Sequence, residues 1–355
     1  MQNAGPTTLP PAIEDSLTCP LCQSTAGQPM SRAKDRYQCL PGEFGYLRCS
    51  ACSFVWLSPR PVPAALSYYY PEDSYYSYQE SAGFVERGEL ISRFRERIRD
   101  TVFHSMAYPV SKLSVWQRAL QPVIVKLFRD RALYGQAYHF PRYQAHGRAL
   151  DIGCGSGQYL SLLKRHGWQV AGVELSKAAA DTAKRNHDID VFVGSLRDAP
   201  FAPASFDFIH MSHVLEHFYD PLEQLQAAAR LLKSGGQFYI ETPNIDSLGR
   251  RQCGTYWFPF DAPRHLCLFS PTTLRHSLDA AGAQVLKLRT LLFEPIYRWE
   301  DTYRREEEEQ AMLSPRPQMR LKARPRAATL SAIARLDRLL HPLNGDIISC
   351  WATKP

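Results

Sequence analysis

Residues 148–158, Arg-Ala-Leu-Asp-Ile-Gly-Cys-Gly-Ser-Gly-Gln, constrain the fold of this chain more than any other stretch. An apolar strand runs directly into glycines at 153, 155 and 157, and a helix-forming sequence follows. Glycine in such a turn lets the backbone approach a ligand closely, and the helix N-terminus behind it favours negative charge. The alternation then repeats. We read strands near 148–152, 168–173, 190–193, 206–211, 236–242, 284–292 and 346–352, and helices near 157–166, 176–187, 221–233 and 271–282. The last helix opens on Ser270-Pro271, an N-cap followed by proline at the first helical position. This order predicts an α/β fold, a mostly parallel seven-stranded sheet with helices on both faces.

The rest of the chain divides by composition. Residues 1–16 are proline-rich and expected to be disordered, and residues 17–62 carry two Cys-x-x-Cys pairs. Residues 63–147 hold an aromatic connector, PAALSYYYPEDSYYSY, and two helical patterns. Their apolar positions are Ile91, Phe94, Ile98, Val102 and Met106, then Leu113, Trp116, Leu120, Ile124 and Leu127. Both are expected to be amphipathic, the second bent at Pro122. The α/β region is expected over 148–355, with a helical insertion at about 298–340.

Hydrophobic residues make up 45% of the chain and charged residues 22%, which excludes a fibrous or wholly disordered protein. No stretch approaches the ~18 apolar residues of a membrane span. The start MQNAGPTTLPP lacks the basic and apolar pattern of a secretory signal, so a cytoplasmic location is expected. In that compartment the nine cysteines are read as metal ligands or free thiols. Of the net charge of +7, residues 81–148 alone carry +7, while residues 1–80 are net −2.

A glycine-rich turn after a strand also serves dinucleotide sites. Here the pattern is GxGxG, and Asp151 precedes it, an awkward neighbour for a pyrophosphate but a fitting one for a cationic ammonium. Glu174, closing the next strand in Val-Ala-Gly-Val-Glu-Leu-Ser, stands where a carboxylate accepts hydrogen bonds from a ribose diol. Downstream lie VGSLRDAPFAPASFDFIHMSHVLEH and LLKSGGQFYIETPN. Together with LDIGCGSG and GVELS, these segments resemble the ordered motifs of class I S-adenosylmethionine-dependent methyltransferases across residues 148–292. The resemblance implies a Rossmann-like sheet closed by a final antiparallel strand at 346–352. It implies that Asp151, Gly153, Gly155 and Gly157 hold the methionine end of S-adenosylmethionine and that Glu174 binds its ribose. Ser195 and Leu196 would flank the adenine, and Met211, Ser212 and His213 would line the path to the methyl group.

Cys19, Cys22, Cys49 and Cys52 form two knuckles, the ligand set and spacing of a structural zinc ribbon. Four thiolates leave no open position on the metal, so its expected role is to hold a small fold together. Cys39 is read as a bystander, with replacement of one ligand as the alternative. The order CPLC, LRCSAC, WLSPRP and YYYPEDSYY resembles the N-terminal zinc-binding region of bacterial methyltransferases that modify sugars and secondary metabolites. Ser53 departs from it, standing where glycine often follows the second knuckle.

For a hydroxyl acceptor, histidine is the usual base near neutral pH. His217, in HVLEH, and His265, in WFPFDAPRHLCLFS, are the catalytic candidates, with Asp261 and Tyr256 behind them. Glu216 and His217 also fit a plain cap for the helix beginning near Asp220-Pro221. The loop aromatics Trp257, Phe258 and Phe260 are expected to wall an acceptor pocket. His210 is read as structural. The expected activity is methylation, favouring oxygen, of a small hydroxylated acceptor, most of all a sugar or glycoconjugate. The basic 81–148 segment allows an anionic acceptor, nucleotide-linked or lipid-linked, or peripheral contact with a membrane. An RNA methyltransferase and an inactive binding protein are the alternatives; the net negative ribbon argues against stable nucleic-acid binding.

Overall fold

A computed structural model of the chain describes residues 12–36, 38, 40–70, 89–110, 112–134, 140–293 and 325–355. Cys39, the tyrosines beyond Tyr70 and residues 294–324 of the expected insertion lie outside the described residues. In chain order the elements are β1 (Ile13–Glu14), β2 (Gly27–Ala33), β3 (Phe44–Cys49), β4 (Val55–Leu57), β5 (Arg60–Pro61), α1 (Glu89–Ser105) and α2 (Val115–Tyr134). Then come β6 (Arg148–Ile152), α3 (Gln158–Arg165), β7 (Gln169–Glu174), α4 (Lys177–His187), β8 (Val191–Val193), β9 (Phe206–Ser212), α5 (Pro221–Leu231) and β10 (Leu232–Pro243). The chain ends with α6 (Leu248–Cys253), β11 (Cys267–Leu268), α7 (Pro271–Ala280), β12 (Gln284–Leu291), α8 (Pro325–Leu340) and β13 (Ile347–Thr353).

The seven-stranded sheet has the order β12-β13-β10-β9-β6-β7-β8. β6 is parallel to β7 and to β9, β7 is parallel to β8, and β13 runs antiparallel to β12. This is the Rossmann-like sheet with the closing antiparallel strand expected from sequence. Chain order reverses direction across the sheet on either side of β6, the place where doubly wound folds bind ligands outside the carboxyl ends of their strands. The described residues fall into two compact units, one drawn from 1–74, 211–229 and 240–355, the other from 75–210 and 230–239.

In the second unit, the amino ends of three strands meet on one carboxylate. Asp207 accepts from the Arg148 amide at 2.8 Å, from Lys233 Nζ at 2.8 Å and from Gln144 Nε2 at 2.9 Å. Burial alone would raise the Asp207 carboxyl; these donors hold it below its usual range. The α1–α2 hairpin departs from the expected faces. Ile98, Val102, Met106, Leu113 and Ile124 are buried, but Phe94, Leu120 and Leu127 are exposed. The reason is polar: buried Gln117 faces α1 and donates from Nε2 to the Arg97 carbonyl at 2.9 Å and to Thr101 Oγ1 at 3.1 Å. That contact turns the Leu120 and Leu127 side of the helix outward.

In the first unit, β2, β3 and β4 form an antiparallel meander whose fourth strand is β11, giving the order β11-β4-β3-β2. Trp56 pairs with Cys267 and Val55 with Leu268, so the cysteine region and the His265 loop share one sheet. Tyr46 adds a stacked contact with Phe260, centroids 5.0 Å apart, and donates its hydroxyl to the His265 carbonyl at 2.9 Å. Ile13–Glu14, assigned to the tail by sequence, pair with Arg60–Pro61. Two expected helix starts appear as read: Ser270 caps α7 in a capping box with Thr273, and Asp220 Oδ1 accepts the Glu223 amide at 2.8 Å ahead of α5.

Candidate active site

The glycine turn at the end of β6 owes its shape to residues that other side chains disfavour. Gly153, Gly155 and Gly157 all have positive φ, 69°, 53° and 74°. At Gly157 a Cβ would lie 2.8 Å from that of Ala183, so α4 packs directly on the turn. Glu174, ending β7, ties the two loops: its Oε2 accepts the Gly155 amide at 2.9 Å and its Oε1 the Ser176 amide at 3.0 Å. Each oxygen retains a lone pair for an incoming hydroxyl. Asp151 is buried with Oδ1 on His210 Nδ1 at 2.7 Å, and Oδ2 has no hydrogen-bond partner among the described residues. His210 itself lies tilted against Tyr159, centroids 4.0 Å apart, and stacks on Tyr239 at 5.5 Å. A carboxylate oxygen open beside a glycine cradle, with a second carboxylate at the end of the adjacent strand, fits the amino-acid and ribose parts of S-adenosylmethionine.

The other expected donor-site residues are less uniform. Leu196 is buried, whereas Ser195 gives its hydroxyl to Asp198 Oδ2 at 2.6 Å, closing its own turn. Met211 is fully buried at the end of β9. Ser212 points its hydroxyl at Glu241 Oε2, 3.5 Å away, and His213 adopts a left-handed φ of 54°.

The second group of functional side chains lies wholly in the first unit. Glu216, His217 and His265 bring one donor atom each to within 4.8 Å of one another. The imidazoles of His217 and His265 cross at 79° with centroids 4.8 Å apart. Glu216 is fully buried, its Oε2 accepting from Thr242 Oγ1 at 3.0 Å and its Oε1 lying 3.3 Å from His213 Nδ1. Burial would raise its carboxyl, but the hydrogen bond and charge of His213, with His265 and His217, hold it down to about 2. His217 moves the other way: burial, then the charge of His265, pushes it down to about 4 against the pull of Glu216 and Asp261. Tyr70, read from sequence only as part of the aromatic connector, brings its hydroxyl to 2.8 Å from His217 Nδ1.

Three expectations about this loop are corrected. The helix α5 is capped by Asp220, not by Glu216 or His217. Asp261 is not free for catalysis: it binds Arg264 Nε through both oxygens, at 3.1 and 3.0 Å, and Arg264 Nη2 as well. Trp257 and Phe260 do not wall an open pocket; they are buried against each other, edge to face at 5.2 Å, and Phe260 packs on Tyr46. Apolar rings this large gain more from joining the core than from lining a wet cleft. Tyr256 sits under the Arg36 guanidinium, 5.1 Å from its centroid.

The four knuckle cysteines form a cluster of their own. Their Sγ atoms all lie within 4.8 Å of one another, with Cys19–Cys52 and Cys22–Cys49 at 3.6 Å. Tetrahedral zinc with ~2.3 Å bonds to sulfur separates its ligands by about 3.8 Å, so the thiols stand where such an ion needs them. Each knuckle closes in the same way: the Gln23 amide donates to the Cys19 carbonyl and the Ser53 amide to that of Cys49, both at 2.9 Å. Gln23 and Ser53 accordingly have φ of 60° and 64°, which explains why glycine suits the position that Ser53 fills here.

The comparisons with known proteins point the same way. Residues 125–288 match the family described as Methyltransferase domain. A ubiquinone biosynthesis O-methyltransferase of Paracidovorax citrulli is 30% identical over 173 residues, 42% of this chain and 69% of that protein. One of Idiomarina loihiensis is 28% identical over 163 residues, again 42% of this chain and 66% of that protein. The chain thus spans about two thirds of the length of these relatives. A solved structure, the SAM-dependent methyltransferase of Archaeoglobus fulgidus, aligns at 19% identity with a TM-score of 0.41, covering 68% of this chain and 100% of that one. Fold and site define a Rossmann-like α/β protein that carries a cluster of Glu216, His217 and His265. More particularly, the chain belongs to the class I S-adenosylmethionine-dependent methyltransferases, and it carries an N-terminal cysteine cluster compatible with a zinc ribbon. No helix among its described residues is long and apolar enough to cross a membrane.

Proposed function

We propose that this protein methylates an oxygen of a small hydroxylated acceptor, with a sugar or glycoconjugate as the first acceptor class, and that Cys19, Cys22, Cys49 and Cys52 hold a structural zinc ion. The observation that carries the acceptor reading is the convergence of Glu216, His217 and His265, with Tyr70 beside them, on one point of the first unit. The names of the relatives support oxygen as the methylated atom, and the ribbon arrangement supports the sugar.

S-adenosylmethionine supplies, when bound, an electrophilic methyl group on a sulfonium. The chain's own residues do the rest. Asp151 and the glycine turn receive the amino-acid end, and Glu174 accepts the ribose hydroxyls. An acceptor hydroxyl placed against the imidazole–carboxylate cluster loses its proton there. With the cofactor bound, that oxygen would take the methyl carbon as the carbon–sulfur bond breaks, the electron pair of that bond staying on sulfur. The products are a methyl ether and neutral S-adenosylhomocysteine. Alignment of oxygen, carbon and sulfur supplies much of the acceleration, because such a displacement has little other covalent chemistry to catalyse.

Methyl transfer from labelled S-adenosylmethionine to nucleotide sugars, lipid-linked sugars and phenolic quinone precursors tests the reading. A labelled sugar whose label survives base and releases no tritium from ring carbon supports it. Label only on the phenols would move the acceptor class toward that of the relatives.

A further inference from the structure

We propose that Glu216, His217 and His265 hold a divalent metal ion, a second metal site separate from the four cysteines. Which hydrogens the two imidazoles carry is the starting point. His265 Nδ1 lies 2.9 Å from the Pro259 carbonyl, which only accepts, so Nδ1 carries the proton and Nε2 the lone pair. His217 Nδ1 lies 3.0 Å from the Arg264 carbonyl. Two lone pairs facing at that distance repel, so this nitrogen is also protonated. The Tyr70 hydroxyl, 2.8 Å from Nδ1, reaches the same carbonyl at 3.5 Å and completes the arrangement. Both rings therefore present an unprotonated Nε2, and neither Nε2 has a hydrogen-bond partner among the described residues.

Each of the three residues brings one possible ligand atom to within 4.8 Å of the other two. Glu216 bonds to Thr242 and His213, not to His217 or His265. A fully buried carboxylate beside two imidazoles is stabilised by a cation held among them. Each ligand also has the outer partner that metal-binding groups need: a main-chain carbonyl behind each imidazole and a hydroxyl behind the carboxylate. The Leu266 amide, bonded to the Glu216 carbonyl at 2.8 Å, fixes the two segments to each other. Two nitrogens and one oxygen select a borderline ion such as zinc, cobalt, manganese or ferrous iron over magnesium or calcium. Three protein ligands leave positions open, as catalytic sites do. On the reading of the function given above, an ion held there would orient the acceptor and lower the pKa of its hydroxyl, with the proton passing to solvent and not to the ligating side chains.

Cobalt(II) titration of the metal-stripped full chain tests the site without any activity assay. Two equivalents are expected: one with the charge-transfer absorption of thiolate ligands, one without it. In Glu216→Gln and in His265→Ala the thiolate band persists, showing that the fold is retained, and affinity for the second equivalent falls 100-fold or more. One equivalent only in the unaltered protein would overturn the site, as would a second equivalent that neither variant weakens. S-adenosylhomocysteine titration of the same samples reports on the donor site independently, so a chain that binds it with only one cobalt keeps the methyltransferase reading and loses the second ion.

Discussion

Arg264 grips Asp35 with both terminal nitrogens, Nη1 to Oδ2 at 2.9 Å and Nη2 to Oδ1 at 2.7 Å, and neither side chain is exposed. Asp35 follows the second strand of the cysteine region, while the Arg264 carbonyl faces His217 Nδ1. One residue therefore links the cysteine region to the histidine cluster. Asp261, on the other side of the guanidinium, is a second carboxylate on the same cation and is held below the usual carboxylate range: burial would raise it, but Arg264 outweighs burial.

Removing one partner of such a buried pair strands donors of the other. Asp35→Ala is expected to cost about 1–3 kcal/mol of unfolding free energy, since Asp261 still balances the guanidinium but two buried N–H donors lose their acceptors. In the folded fraction, acceptor KM rises while affinity for S-adenosylhomocysteine stays within twofold. Urea titration and calorimetry measure the two effects; equal loss at both sites would remove the link between Asp35 and the histidine cluster.

The cysteine region should depend on its metal and on its two left-handed residues. Cys22→Ser is expected to release zinc and open the β4–β11 pairing, seen as new protease cuts within residues 44–57. Ser53→Gly should stabilise the knuckle by up to about 1 kcal/mol, because glycine tolerates the φ of 64° that serine holds at a cost. A destabilised Ser53→Gly protein would show that the serine side chain matters more than the backbone.

At the donor site, Glu174→Ala removes both the ribose acceptor and the bonds that hold the Gly155 and Ser176 amides. S-adenosylhomocysteine should bind at least 100-fold more weakly by calorimetry, equal to ~2.7 kcal/mol. Glu174→Gln, which keeps one acceptor oxygen, should retain more than the alanine variant. Equal affinities for the unaltered protein and Glu174→Ala would place the ribose elsewhere.

Much of this was legible locally. The glycine turn, Asp151 and Glu174 lie within one strand–turn–helix unit and its neighbour, so the local pattern singled them out and the family resemblance supplied their expected roles. His217 and His265 were found by residue type near a strand end. Glu216 was passed over because an acid just before a helix start looks like a cap, and only the structure shows Asp220 in that place. Tyr70 and the Asp35–Arg264 pair join positions far apart in sequence, where no local pattern marks them. The α2 faces were misassigned for a different reason: periodicity finds an apolar stripe, but Gln117, a polar residue, decided which side met α1.

Stability should also carry an unusual pH signature from Asp346. Its side chain is buried, Oδ2 accepts the Phe293 amide at 3.0 Å, and Oδ1 has no hydrogen-bond partner; burial pushes the carboxyl up to about 7. An acid raised in the folded state keeps its proton there while the unfolded chain loses its own, so stability falls as pH rises from about 4 to about 7 and is flat above. Asp346→Asn should abolish that fall and leave the protein more stable than the parent at pH 7.5. Denaturation midpoints across that range decide the matter, and an unchanged pH profile in the variant would remove Asp346 as the cause.

The most direct measurement is calorimetric titration of the full chain with S-adenosylhomocysteine, with NADH as the control. The account predicts one molecule of S-adenosylhomocysteine per chain, strongly weakened by Glu174→Ala, and no heat from NADH. Saturable binding of NADH at the Asp151–Glu174 loops, with none of S-adenosylhomocysteine, would contradict it.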